Sequence, residues 1–284
     1  MPLFDKDEIK KAIPALDCRI GDRLCEGLMR ALSLNDINGL YDRNSEFTGP
    51  DFARAALKDC GVDYSVAGYD ILKNIEGPFI TISNHPYGAI DGLMLMDLVG
   101  HLFPDYKIIV NDTLARIKTM SCNFITVTPT TDVKTEPTRE SLSGIRAALE
   151  HIHDGKPLGI FPSGAVSDLM PFKMKIQDRE WQISIIRLIK KAKLPIVPIR
   201  FFDANSAFYY LLGLINWKIR VTRLPAEVFN KRGRTERIGV GNIIPVSEQD
   251  RIEDIYRYRE YLRSSVYDMR TSSLQFIKSS ELWK

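Results

Sequence analysis

Cysteine is scarce in this 284-residue sequence. Cys18, Cys25, Cys60 and Cys122 are the only four, and no two of them lie two to four residues apart. That excludes the usual zinc-ligand spacings, and four scattered thiols in a chain of this length make no disulfide framework. They read as reduced, mostly buried thiols of a cytoplasmic protein. Long apolar runs are missing too: nowhere do about 18 apolar residues follow one another, the length a spanning helix needs. The opening MPLFDKDEIKKAI has no apolar stretch behind a basic start, so no secretory signal is expected. Histidine is as rare as cysteine, with four in the chain, and no HExxH helix exists to bind zinc. There is no Gly-x-Ser-x-Gly elbow for a serine nucleophile and no Walker loop. Zinc fingers, RNP-type aromatic motifs and basic zippers are absent as well, which argues against nucleic acid as a partner. Neither a metal nor another cofactor is expected.

What is present describes a globular chain. Hydrophobic residues make up 44% and charged residues 26%, with mean hydropathy near zero, enough to bury a substantial core in one large domain. The charge is unevenly spread. Residues 1–70 hold 13 acidic and 9 basic side chains, whereas residues 170–240 hold 15 basic and 5 acidic. The basic stretch suits an anionic partner, either phosphates or an anionic membrane surface; a solvated basic face is the plainer reading. Two apolar stretches, Leu93–Phe103 and Phe208–Trp217, are too short to cross a bilayer. Both are expected as core, with an interfacial foot as the other reading.

Periodicity divides the chain into three parts. Residues 1–70 read as a helical preface, with helices over Phe4–Leu16, Arg23–Leu34 and, after Gly49-Pro50, Asp51–Lys58. Residues 71–245 alternate short β-rich runs with amphipathic helices. The runs are Pro78–Ser83, Lys107–Val110, Phe124–Val127, Pro157–Phe161 and Pro195–Phe201; the helices are Ser141–Asp154, ending at Gly155, and Glu180–Lys191. This rhythm predicts an α/β domain with a mixed, largely parallel sheet flanked by helices. Residues 246–284 read as a C-terminal helix, from Glu248 to about Asp268, followed by a frayed tail.

The segment ITISNHPYGAIDG, residues 80–92, carries the most chemistry. A strand delivers His85 into a tight turn, and Asp91 follows on the next helix. Such a pair suits general-base catalysis, the histidine taking a proton from a hydroxyl or amine and the aspartate fixing its tautomer. A structural histidine near a helix N-terminus is the competing reading. LGIFPSGAVSD, residues 158–168, is a second strand emptying into a glycine-containing turn, where ligands of open α/β sheets bind. Backbone amides around Ser163, Gly164 and Ala165 are candidates for a phosphate or oxyanion. His151 and His153, near a helix end, read as structural or surface residues.

Together SNHPYGAIDG and FPSGAVS resemble two motifs of the lysophospholipid acyltransferase (PlsC-like) superfamily, in particular its hemolysin-like branch, which acylates lyso-lipids and lyso-aminolipids. Asp178–Trp181, the run Leu194–Ile199, Asn205-Ser206 with Phe208, and RLPAEVFNKRG at 223–233 resemble that branch in the same order. The resemblance spans about residues 70–245. It implies a glycerol-3-phosphate acyltransferase-like fold, with His85 and Asp91 as the catalytic pair and Asn84, Gly92, Phe161, Pro162, Ser163, Gly164 and Ser167 around the substrate. It further implies an acyl-ACP or acyl-CoA donor, a lyso-lipid acceptor, and a cytoplasmic enzyme peripheral on the inner face of the cell membrane. Two features depart from the wider superfamily. Ser163 stands where a glutamate is usual, and no arginine occurs around Asn123–Thr128. Both point away from glycerol-3-phosphate or lysophosphatidate and toward another head group, such as a 3-hydroxyacyl amino acid. A hydrolase using the same pair, and a catalytically silent membrane-binding module, are the alternatives.

Overall fold

Strands that are apolar on both faces belong inside a sheet covered on both sides, and the chain builds such a sheet. The computed structural model describes residues 2–14, 17–18, 20–127 and 139–282. Among these, the strands are β1 (Asp63–Ala67), β2 (Ile80–Ser83), β3 (Lys107–Asn111), β4 (Phe124–Val127), β5 (Leu158–Ile160), β6 (Asp168–Met170), β7 (Lys175–Gln177), β8 (Ile196–Phe201), β9 (Thr235–Val240) and β10 (Ile277–Lys278). Eight form one sheet in the order β10-β1-β9-β8-β2-β5-β3-β4, while β6 and β7 pair as a separate antiparallel hairpin. From β8 to β4 the five strands are parallel. β9 runs against β8, and β1 runs with β9. The α/β, largely parallel reading is therefore correct.

The residues of the central strands alternate between two cores. Ile80, Ile82, Leu158, Ile160 and Ile196 pack with Ile186 and Ile189 of helix Ile183–Ala192 and Leu262 of helix Ile255–Tyr267. Ile108, Val197, Ile199 and Phe201 face the other way, onto Phe52 and Ala56 of helix Gly49–Cys60 and Met94, Leu95 and Leu98 of helix Ala89–Gly100. The result is three layers, helix–sheet–helix. Gly159 in β5 permits the close packing beneath the sheet, since a Cβ there would lie 2.2 Å from the Tyr106 hydroxyl, which is hydrogen-bonded to Thr81 at 2.6 Å.

The two apolar stretches part company. Met94, Leu95, Met96, Leu98 and Val99 are fully buried, so Leu93–Phe103 is core, as expected. Phe208, Leu211, Leu214, Ile215 and Trp217 are exposed while Tyr209 and Tyr210 are buried, so Phe208–Trp217 is core on one face only.

Elsewhere the expected elements shift. The first helix is Lys6–Ala12, capped by Asp5; Leu16, expected within it, lies outside the described residues. The helix expected over Arg23–Leu34 is two, Gly21–Ala31 and Leu34–Arg43, broken where Ser33 adopts a left-handed conformation. The helical preface also contains a strand, β1, which pairs with β9, one strand in from the β10 edge of the sheet. The C-terminal helix divides into Val246–Gln249 and Ile255–Tyr267. The stretch read as a frayed tail supplies β10, paired with β1, and the short helix Ser279–Leu282.

Candidate active site

β8, β2 and β5 are adjacent and parallel, so the loops that leave their C-terminal ends meet at one edge of the sheet. β2 leads into Asn84–Gly88, β5 into Phe161–Ser167 and β8 into Phe202–Asn205. Asn84 ties two of these together. Its amide nitrogen donates to the Phe201 carbonyl at 2.9 Å, and its oxygen accepts from the Phe201 amide at 2.8 Å. The side chain thus extends the ladder between β2 and β8 by one more pair of bonds. Asn84 was expected at the substrate; its amide is committed to backbone instead, and what it positions is the next residue, His85.

His85 Nδ1 lies 2.6 Å from Asp91 Oδ2, with Asp91 fully buried and the His85 side chain 19% exposed. Nδ1 is buried and has no other partner, whereas Nε2 makes no hydrogen bond among the described residues and is not sealed from solvent. Asp91 occupies the first turn of helix Ala89–Gly100 and accepts the amides of Tyr87 at 3.0 Å and Gly88 at 3.0 Å. Burial raises the Asp91 carboxyl above its ordinary range, and the imidazole and the two amides oppose that rise. Phe161 covers the imidazole, ring centroids 4.2 Å apart and tilted by 33°.

A second buried carboxylate lies beneath the histidine. Asp178 Oδ1 accepts the His85 amide at 3.1 Å and the Ser167 hydroxyl at 2.5 Å, and Oδ2 accepts the Trp181 indole at 3.0 Å. The Ser167 amide in turn donates to the His85 carbonyl at 2.8 Å. Burial also raises the Asp178 carboxyl, and these donors counter it. The Asp-x-x-Trp spacing now has a physical reason: three residues on, the indole reaches back to the carboxylate. Ser167, expected at the substrate, is buried and spent on Asp178.

The turn after β5 is closed on itself. The Ser163 hydroxyl donates to the Ala165 carbonyl at 2.8 Å. The Gly164 amide donates to the Phe161 carbonyl at 3.0 Å, and the Ala165 amide lies 3.4 Å from Ser163 Oγ. Two of the three amides expected to hold an oxyanion or phosphate are therefore used inside the turn. Pro162 is buried and accepts the Gln182 amide at 2.9 Å. Gly164 has φ +65°, and a Cβ there would lie 2.2 Å from Gln182 Nε2. Gly164→Ala is expected to cost about 1–2 kcal/mol, read as a lowered urea midpoint. Gly92 is half-buried at the start of its helix, with open space where a side chain would stand.

The loop of His85 is further held by a polar cluster with no single-motif signature. Tyr87 donates to Glu236 at 2.7 Å, and buried Lys231 lies 4.8 Å from the Tyr87 ring centre while donating to Asn205. Asn205 donates to the Tyr87 carbonyl at 3.3 Å, and Tyr210 to the Pro86 carbonyl at 3.0 Å. Burial lowers the Lys231 ammonium and raises the Glu236 carboxyl, and each charge offsets the other's shift. Glu227 accepts from both the amide and the hydroxyl of Ser206, at 2.9 and 2.6 Å. Asn205-Ser206 and RLPAEVFNKRG are thus two halves of one clamp. His151 is buried against the Pro157 carbonyl at 3.1 Å, a structural place that burial accompanies with a lowered pKa. Among the described residues no group of His, Cys, Asp and Glu side chains is arranged to hold a metal ion.

A family model described as an acyltransferase matches residues 9–275. A lyso-glycine lipid O-acyltransferase from Bacteroides thetaiotaomicron is 26% identical over 249 residues, covering 85% of this chain and 88% of that protein. A protein of the same name from Phocaeicola vulgatus is 23% identical over 242 residues, covering 83% of each. The crystal structure of the 1-acyl-sn-glycerophosphate acyltransferase PlsC from Thermotoga maritima is similar at a TM-score of 0.47 and 14% identity, over 81% of this chain and 84% of that one.

Proposed function

This chain belongs to the acyltransferase family, and from that premise we propose that it moves a fatty acyl group from a thioester on acyl carrier protein or coenzyme A to the hydroxyl of a lyso-lipid. The observation that carries the reading is the His85–Asp91 pair at 2.6 Å, with Nε2 left open on the far side of the ring. Nε2 takes the acceptor's hydroxyl proton as the oxygen attacks the thioester carbonyl. Asp91 stabilises the imidazolium that forms, as the buried carboxylate of a catalytic triad does. The tetrahedral intermediate then expels the thiolate, which recovers the proton from His85. Acceptor and donor react directly, so no acyl-enzyme is needed.

Ser163 and Ser167 have hydroxyls bound to Ala165 and Asp178, far from the bonding a nucleophile requires. Ser163→Ala is accordingly expected to keep turnover within about threefold of the wild type, measured as initial rate. A larger loss together with a trapped acyl-enzyme would mean a covalent mechanism.

The two relatives named lyso-glycine lipid O-acyltransferases match over most of their length. They support an acceptor with an amino-acid head group, in keeping with Ser163 and the lack of an arginine around Asn123–Thr128. An acceptor of that kind resides in a membrane, and the enzyme would meet it at the cytoplasmic face. No helix among the described residues is long and apolar enough to cross a bilayer, so the proposed attachment is peripheral. The direct test presents labelled acyl carrier protein and acyl coenzyme A thioesters with a panel of lyso-lipids, lyso-glycine lipid included. Acylated lipid on one acceptor supports the reading and identifies the substrate. Free fatty acid alone would mean a hydrolase, and no turnover would mean a silent binding module.

A further inference from the structure

An acyltransferase whose acceptor lies in a bilayer must bring its histidine to that surface. Resting on that reading, we propose that the β6–β7 hairpin and the helices Ala207–Ile215 and Trp217–Thr222 form one foot that docks on an anionic lipid bilayer.

Many of the large apolar side chains left in solvent gather here. At the hairpin tip Phe172 is fully exposed and Met174 is 81% exposed; on the helices Ile215 is 78% exposed, with Trp217, Phe208 and Leu211 more than half exposed. A soluble surface seldom leaves so many large apolar side chains uncovered on neighbouring elements. The hairpin and the helices are joined. Leu169 and Met170 of β6 share a crevice of about 250 Å³ with Leu214, Trp217 and Arg220 of the helices. Helices of nine and six residues cannot span a bilayer, but amphipathic segments lying in the interface need not.

Charge selects the occupant. Residues 169–176 contain Lys173 and Lys175 and no acid, and residues 207–223 offer Lys218 and Arg223 and no acid, Arg220 being buried. The Lys218 ammonium lies 5.9 Å from the Trp217 ring centre, and the Arg223 guanidinium 5.5 Å from that of Phe208. Cations standing beside exposed aromatic rings suit the headgroup level of a membrane, where the ring enters and the charge stays with phosphate. Two copies of this chain meeting symmetrically on the patch would set the same lysines against each other.

The foot is wired to the site. Buried Arg220 donates to the Ser167 carbonyl at 3.1 Å and pairs with Asp168, while the Ser167 amide holds the His85 carbonyl. From the helix, Tyr210 holds the Pro86 carbonyl. The residues on both sides of the foot's inner face are thus neighbours of His85, so docking orients the histidine relative to the bilayer.

The test uses the full chain and vesicles of phosphatidylcholine with or without phosphatidylglycerol. The wild type is expected to float with the anionic vesicles, less so as salt rises. Phe172→Asp with Met174→Asp is expected to weaken that partition by about tenfold or more, with unchanged turnover of a lyso-lipid supplied below its micelle concentration. Wild-type-like flotation of the double variant would overturn the proposal. So would self-association of the wild type without lipid that the same variant abolishes. Vesicle binding without any turnover would remove the acyl-transfer reading and leave the foot standing.

Discussion

Replacing His85 with alanine is expected to lower acyl-transfer turnover by about two to four orders of magnitude, the usual share of a general base. The protein should remain folded. The backbone at 85 is held by Asp178 and Ser167, and its neighbour by the Asn84–Phe201 bonds, none of which uses the imidazole. Asp91 would keep the amides of Tyr87 and Gly88. Labelled transfer assays, set beside circular dichroism and a thermal midpoint, separate chemistry from folding. Full activity in a folded His85→Ala protein would remove the histidine from the mechanism.

Lys231→Met is expected to destabilise the protein by about 3 kcal/mol or more, because it leaves charge buried without its counter-charge. Lys231 is 1% exposed and Glu236 2% exposed, and the lysine offsets the cost of burying that carboxylate. With the ammonium gone, Glu236 keeps only the Tyr87 hydroxyl, and the loop beside His85 loses the cation packed on its tyrosine ring. Urea unfolding measures the loss. Combining Lys231→Met with Glu236→Gln should recover part of it, since the orphaned charge is then removed as well; charges that offset each other's burial are where such non-additivity arises. A double variant whose loss equals the sum of the losses of Lys231→Met and Glu236→Gln alone would show that the two residues are not coupled.

The sequence made the core of the site legible for a physical reason. β2, β5 and β8 are buried on both faces and dominated by isoleucine, leucine and valine, and the residues that follow them carry the reactive groups. β1 and β9 were not expected because polar residues interrupt them: Ser65 and Glu236 are buried on strands yet look like surface positions. The hairpin strands β6 and β7 are three residues each, too short for a period to emerge. His85 and Asp91 could be paired from their spacing because five residues and one turn link them. For Asn84, Ser163 and Ser167 sequence gives the chemistry of the side chain and not its partners, which are Phe201, Ala165 and Asp178. Tyr87 and Glu236 are 149 residues apart, so no local pattern could join them.

The pairing of β1 with β9 bears on how the chain is made. Asp63 to Ala67 emerges from the ribosome early, but its partner, Thr235 to Val240, is synthesised about 170 residues later. Until then β1 has no parallel neighbour, and β10, on its other edge, comes later still. At translation rates of about 5–20 residues per second, that strand waits on the order of ten seconds or longer with both edges unmatched. The parallel strands β2, β3, β4, β5 and β8 can assemble in that interval, so the His85 loop is in place before Lys231 and Glu236, which brace it through Tyr87, arrive.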